Sequence, residues 1–158
     1  MKVDYTKFEY VGRNLYAWFG TITVNTNGTS KEISVCIYDD SDNRGVLPQA
    51  GKDALEFFID NYDKYKEAIL EAVYDYYDYR KSAWGGDDPD EPMYPDVNSA
   101  EDVYAMMTLS SMIIGYHYNP GQHDIHFVYN SKFDSELGVG ICMTNLNVDE
   151  IGIQGIAV

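Results

Sequence analysis

Three groups of side chains in this sequence have the types and spacing that chemistry needs. The first is a row of carboxylates, Asp60, Asp63, Glu67, Glu71, Asp75 and Asp78, recurring every three or four residues. At about 100° per residue that interval puts all six on one side of a helix. Such a row performs no acid–base step, because no member is singled out by a partner. It is either a purely solvated face or an electrostatic docking surface for a basic protein. Tyr74 and Tyr79 stand among the acids, and tyrosines give rigid contact area with a polar tip. These eight residues form the candidate partner-binding surface.

The second group is Asp87, Asp88, Asp90 and Glu91. Carboxylate oxygens in a loop are the right ligands for calcium, but the alternating acids, central glycine and distal glutamate of an EF-hand loop are missing. A solvated acidic loop fits the spacing better. The third group is His117, His123 and His126. Zinc needs three or four convergent ligands, and no cysteine lies nearby. On a strand, His126 would share one side with Asp124, and His123 the other with Ile125, so the three do not converge. No metal and no cofactor is expected.

Other catalytic arrangements fare no better. The sequence has no Gly-x-Ser-x-Gly elbow, phosphate-binding loop or dinucleotide fingerprint, and no cysteine with a plausibly coupled histidine. Acids are so abundant that choosing two for general acid–base work would be arbitrary. The expectation is a protein that is not an enzyme. A small-molecule-binding or enzymatic domain is the alternative, favoured by a polar pocket containing His123 or His126.

The acidic row must be positioned by the stretch from Asp53 to Arg80. On its opposite side fall Leu55, Phe58, Ile59, Tyr62, Tyr65, Ile69, Val73, Tyr76 and Tyr77. That phase predicts one long amphipathic helix, or two nearly collinear helices meeting near Asn61. Leu47-Pro48 leads into it, and Arg80-Lys81 suits the negative end of its dipole. Four like-charge pairs at i,i+4, such as Glu67/Glu71, should each cost about 0.2–0.5 kcal/mol, with only Asp60/Lys64 offsetting them.

Around the helix the pattern is that of strands. Val3 to Val11 reads as a strand-like arm. Trp18, Gly20, Ile22 and Val24 alternate with more polar positions, and Ile33, Val35 and Ile37 return after Asn27-Gly28, a β-hairpin signature. Ser99 with Glu101 and Asp102 predicts a short helix to about Met107. Leu109–Tyr118 and the alternating Ile125, Phe127 and Tyr129 read as further strands. A second hairpin is expected from Leu137 to Thr144 and from Val148 to Ala157. Its glycines suggest bulges or close backbone approach. The fold class is α+β, a mostly antiparallel sheet packed against the helix, as a single domain over residues 1–158.

Composition narrows the partners. The 158 residues carry 26 Asp and Glu against 11 Lys and Arg, a net charge of −15. Phosphate contacts require cations, so neither nucleic acid nor an anionic membrane is an expected direct partner. With 45% hydrophobic and 15% aromatic residues, the chain has enough apolar surface for a core despite its charge. Cys36 and Cys142 read as reduced core thiols, with a disulfide between them left open. Neither a signal peptide nor a bilayer-spanning run is visible, so the expected location is cytoplasmic. Nothing in these patterns sets the oligomeric state.

One stretch carries a family resemblance. Phe133-Asp134-Ser135-Glu136-Leu137-Gly138-Val139-Gly140 resembles a C-terminal signature, close to Trp-Asp-x-Glu-His-Gly-Leu-Gly, of a group of small bacterial domains of unknown function. That group also has a Trp-x-Gly strand near its start, matched by Trp18 and Gly20, and a middle helix ending in paired tyrosines, matched by Tyr76 and Tyr77. Phe133 stands in place of the tryptophan and Leu137 in place of the histidine, so no role of that histidine is carried over. Asp134 and Glu136 are the motif's acids, and a structural role in fixing the turn into the strand suits them as well as a binding one. Some such domains are similar to immunity proteins that neutralise toxins. The resemblance thus implies a non-enzymatic binding role. A nucleic-acid mimic, acting as an acidic decoy for a DNA-binding protein, is a further alternative.

Overall fold

A computed structural model describes residues 3–13, 15–26, 28–39, 44–85, 93–115 and 121–158. Alternation of apolar and polar residues produces the expected hairpin, β2 (Ala17–Thr26) with β3 (Thr29–Tyr38), following a three-residue edge strand, β1 (Glu9–Val11). Gly28 sits at φ 78°, a conformation that favours glycine and fits the tight turn. The amino-terminal arm is strand only at β1, because Tyr5–Lys7 forms a single 3-10 turn capped by Asp4. The Phe8 ring lies against Gly20, where a Cβ would meet it at 2.4 Å.

The helical stretch is longer than the periodicity suggested and is divided into α1 (Gln49–Asp60) and α2 (Tyr62–Trp84). Pro48 occupies the N-cap position of α1. The division at Asn61 has a local cause. Its side-chain Nδ2 donates to Phe57 O at 2.9 Å, and its backbone N–H is shared between Phe57 O and Phe58 O. Asn61 therefore satisfies the carbonyls that end α1 and leaves helical geometry at φ −119°, ψ 26°. A short helix, α3 (Ala100–Ala105), starts where expected, with Ser99 Oγ accepting from Asp102 N.

Four strands complete the sheet: β4 (Met107–Ile114), β5 (Asp124–Ser131), β6 (Val139–Thr144) and β7 (Asn147–Gly152). The seven described strands lie in chain order, and every pairing is antiparallel except β3 with β4. That parallel pairing requires a crossover, and α1, α2 and α3 supply it. The arrangement is α+β with a mostly antiparallel sheet. β7 stops at Gly152 instead of continuing to Ala157. Residues Gln154–Ile156 make a 3-10 turn that lies against β6, where a Cβ on Gly140 would stand 2.7 Å from Ile153 O.

The helices pack on one face of the sheet. Phe58 and Tyr65 meet Phe127 of β5 at ring-centroid distances of 5.4 and 5.7 Å. Ile33, Val35 and Ile37 of β3, Met112 and Ile114 of β4, and Val139, Ile141 and Met143 of β6 complete this core. No described helix is long and apolar enough to cross a membrane.

Candidate functional site

Asp60, Asp63, Glu67, Glu71, Asp75 and Asp78 are all exposed, with Asp53 and Glu56 continuing the row along α1. None of the six makes an ion pair among the described residues, Asp60 with Lys64 included. Four of the helical cations are drawn elsewhere. Lys52 lies over the Tyr5 ring and Lys66 over the Tyr104 ring. Arg80 bonds Asp134, and Lys81 bonds Asp96. Lys64, exposed on α2, stands within the stripe, and no described cation is ion-paired with its six carboxylates.

Tyr74 and Tyr79 are exposed beside it, whereas Tyr76 and Tyr77 turn inward, where burial pushes both hydroxyls up to about 12. Trp84 adds a third exposed ring at the end of α2 and lies under the Arg80 guanidinium. The sequence pattern missed it because the helix was expected to end four residues earlier.

The two motif acids separate. Asp134 is buried and adopts φ 45°. Its Oδ2 accepts from Arg80 Nη2 at 2.5 Å and from the Tyr94 hydroxyl at 2.9 Å, and Arg80 Nε donates to the same tyrosine oxygen. Its carbonyl accepts from Leu137 and Gly138 N–H groups, which closes the turn into β6. Phe133 packs between Tyr77 and Tyr94. Gly138, at φ 59°, lies under the Gln154 side chain, where a Cβ would clash at 2.4 Å. Glu136 is exposed. The signature stretch therefore ties the end of α2 to the β5–β6 connection and the carboxyl-terminal turn.

The histidines divide as strand parity required. His123 stacks on Phe57 at 4.4 Å, on the helix side. His126 points to the helix-free face, with Nε2 3.5 Å from Asp124 Oδ1. His117 and the acids Asp87, Asp88, Asp90 and Glu91 lie outside the described residues. Among the described residues, no three His, Cys, Asp or Glu side chains are grouped to hold a metal ion.

A polar pocket of about 330 Å³ contains His126 with Gln122, Asp124, Cys142, Thr144, Asp149 and Glu150. Thr144 Oγ1 donates to Asp149 Oδ2 at 2.5 Å, and Cys142 Sγ donates to Ile156 O at 3.5 Å. Burial, reinforced by Glu150, Asp124 and Asp149, pushes the Cys142 thiol up to about 11. A thiol so protonated is a poor nucleophile, which weighs against a cysteine–histidine catalytic pair. Parity along β5 already joined Asp124 to His126, but only the strand register brings in Cys142 and Glu150. Cys36 and Cys142 are free thiols, three strand spacings or roughly 14 Å apart, beyond disulfide reach.

Residues 4–158 match the family described as Domain of unknown function (DUF6985). The chain belongs to this family. The DUF6985 match thus takes in all seven described strands and the three α-helices. No curated protein and no solved structure matches this DUF6985 chain.

Proposed function

We propose that the protein is a non-enzymatic binding module whose acidic helical face docks a basic protein partner. The observation that carries this reading is that the six exposed carboxylates make no ion pair among the described residues, while Lys52, Lys66, Arg80 and Lys81 are engaged by rings or by other carboxylates. Like charges held along a helix cost stability, about 0.2–0.5 kcal/mol per i,i+4 pair, and an attractive partner would relieve that cost. Tyr74, Tyr79 and Trp84 at one end of the stripe supply the aromatic contacts that commonly anchor protein interfaces.

The reading extends to a bacterial, cytoplasmic, immunity-type role, in which the stripe occludes a basic surface of a toxin. The test is a binding comparison of the wild type with the triple variant Glu67→Lys, Glu71→Lys, Asp75→Lys. A cognate partner should bind the wild type in a salt-sensitive manner and lose at least tenfold affinity for the triple variant at equal fold content. Equal affinity for both proteins would remove the stripe from the interface. A partner displaced by duplex DNA would favour the decoy alternative.

A further inference from the structure

The helix-free face of the sheet carries a second recognition feature, independent of the helical stripe. Across the strands, Phe19 pairs with Cys36, Cys36 with Ile113, Ile113 with His126, His126 with Cys142 and Cys142 with Glu150. Directly opposed residues project from the same face, so these six side chains form one row across β2 to β7. Five strand spacings give it a length of roughly 24 Å.

The row changes character half-way. Phe19, Cys36 and Ile113 lie in an apolar pocket of about 250 Å³, completed by Leu15 and Val158. His126, Cys142 and Glu150 lie in the polar pocket, beside Asp124 and Asp149. The boundary falls between Ile113 and His126, which are direct cross-strand neighbours. The carboxyl-terminal segment borders both halves, with Ile156 on the polar pocket and Val158 on the apolar one. Together the two pockets reach the range of small-molecule sites.

We propose that this face binds a small amphiphilic organic cation, with its charged head among Asp124, Asp149 and Glu150 and its apolar part against Phe19, Cys36 and Ile113. Charge selects the head group. Three carboxylates and one imidazole line the polar pocket, so its formal charge is negative even with His126 protonated. The Cys142 thiol, held protonated, adds no charge of its own. An ammonium can donate to the carboxylates while its chain covers apolar surface left open beside Phe19, and neither an anion nor a neutral polar ligand satisfies both ends.

The test is calorimetric titration with n-decylammonium below its micelle concentration, alongside n-decanol and decyl sulfate, with backbone NMR shifts to locate binding. Saturable one-to-one binding of decylammonium is expected, with shifts along residues 113, 126, 142 and 150. Glu150→Gln and Phe19→Ser, both at exposed positions, should each weaken it about tenfold or more. The lysine triple variant of α2 should leave it unchanged, which separates this site from the helical docking surface. Equal affinity for decanol or decyl sulfate, shifts confined to α2, or affinity insensitive to both substitutions would overturn the proposal.

Discussion

Arg80 on α2 and Asp134 before β6 meet at 2.5 Å across 54 residues of sequence, with both side chains largely buried. A charge pair removed from water needs further hydrogen bonds to be retained, and the Tyr94 hydroxyl bonds both members of this one, accepting from Arg80 Nε and donating to Asp134 Oδ2. The pair lies beneath the aromatic contacts of Tyr77, Tyr94 and Phe133. It thereby locks the end of α2 to the sheet and fixes the exposed face of that helix.

Removing one partner strands the other charge. Asp134→Ala should lower unfolding free energy by about 3–5 kcal/mol, read from urea denaturation midpoints at unchanged slope. Asp134→Asn keeps an acceptor for Tyr94 and tolerates the left-handed backbone, so its loss should be roughly 1–2 kcal/mol smaller. Equal losses in the two variants would mean that the retained acceptor and backbone tolerance contribute nothing and that the lost charge accounts for the whole effect.

A single reversal on the stripe should move stability and binding in opposite directions. Glu67 has Asp63 and Glu71 at i−4 and i+4 and Lys64 at i−3, so Glu67→Lys converts two repulsions into attractions and one attraction into a repulsion, a net gain. A gain of about 0.5–1.5 kcal/mol is expected at low ionic strength, fading as salt approaches 0.5 M. Partner affinity should fall in the same variant. A variant that is less stable at low salt would show that the stripe is already neutralised.

The stripe and the lock differ in how far the sequence disclosed them. The carboxylate row and the apolar face from Leu55 to Tyr77 follow from a 3.6-residue period, a local property that survives into the fold. The β2–β3 hairpin was legible for the same reason, through alternation and Asn27-Gly28. By contrast, nothing local links Arg80 to Asp134, or His126 to Cys142 and Glu150. Those contacts arise from strand register and from the parallel β3–β4 pairing, both set by the whole fold. The break at Asn61 was visible as a site, but the extra residues at each end of the helices were not. The end of β7 at Gly152 was hidden because Ile153 to Ala157 is as apolar as a strand, yet it folds back over Gly140.

Tyr65 offers a test of the core. Its ring packs against Phe57, Phe58 and Phe127, but its buried hydroxyl has no hydrogen-bond partner among the described residues. A buried hydroxyl without a partner carries a desolvation cost of about 1–3 kcal/mol, which Tyr65→Phe removes while keeping the ring. The variant should match or exceed the wild type in melting temperature, by roughly 2–4 °C per kcal/mol gained. A clear loss of stability would reveal that the hydroxyl is satisfied in solution.

The two thiols give a pH-dependent readout of the helix-free face. Burial raises both Cys36 and Cys142 from an ordinary value of 9.0 to about 11. Because the thiolate is the reactive form, each should alkylate at pH 8 about 100-fold more slowly than in the unfolded chain, with rates climbing until pH passes 11. The folded state keeps the proton, so the stability linked to these thiols is complete below pH 9 and is lost as pH rises through 11. The two then diverge on mutation. Only Cys142 feels Glu150, Asp124 and Asp149, whereas Cys36 is raised by burial alone. Glu150→Gln should therefore speed alkylation of Cys142 and leave Cys36 unchanged, as peptide mapping after iodoacetamide can show. If both rates rise together, the substitution has loosened the sheet, and the negative field assigned to the polar end of the row is not its cause.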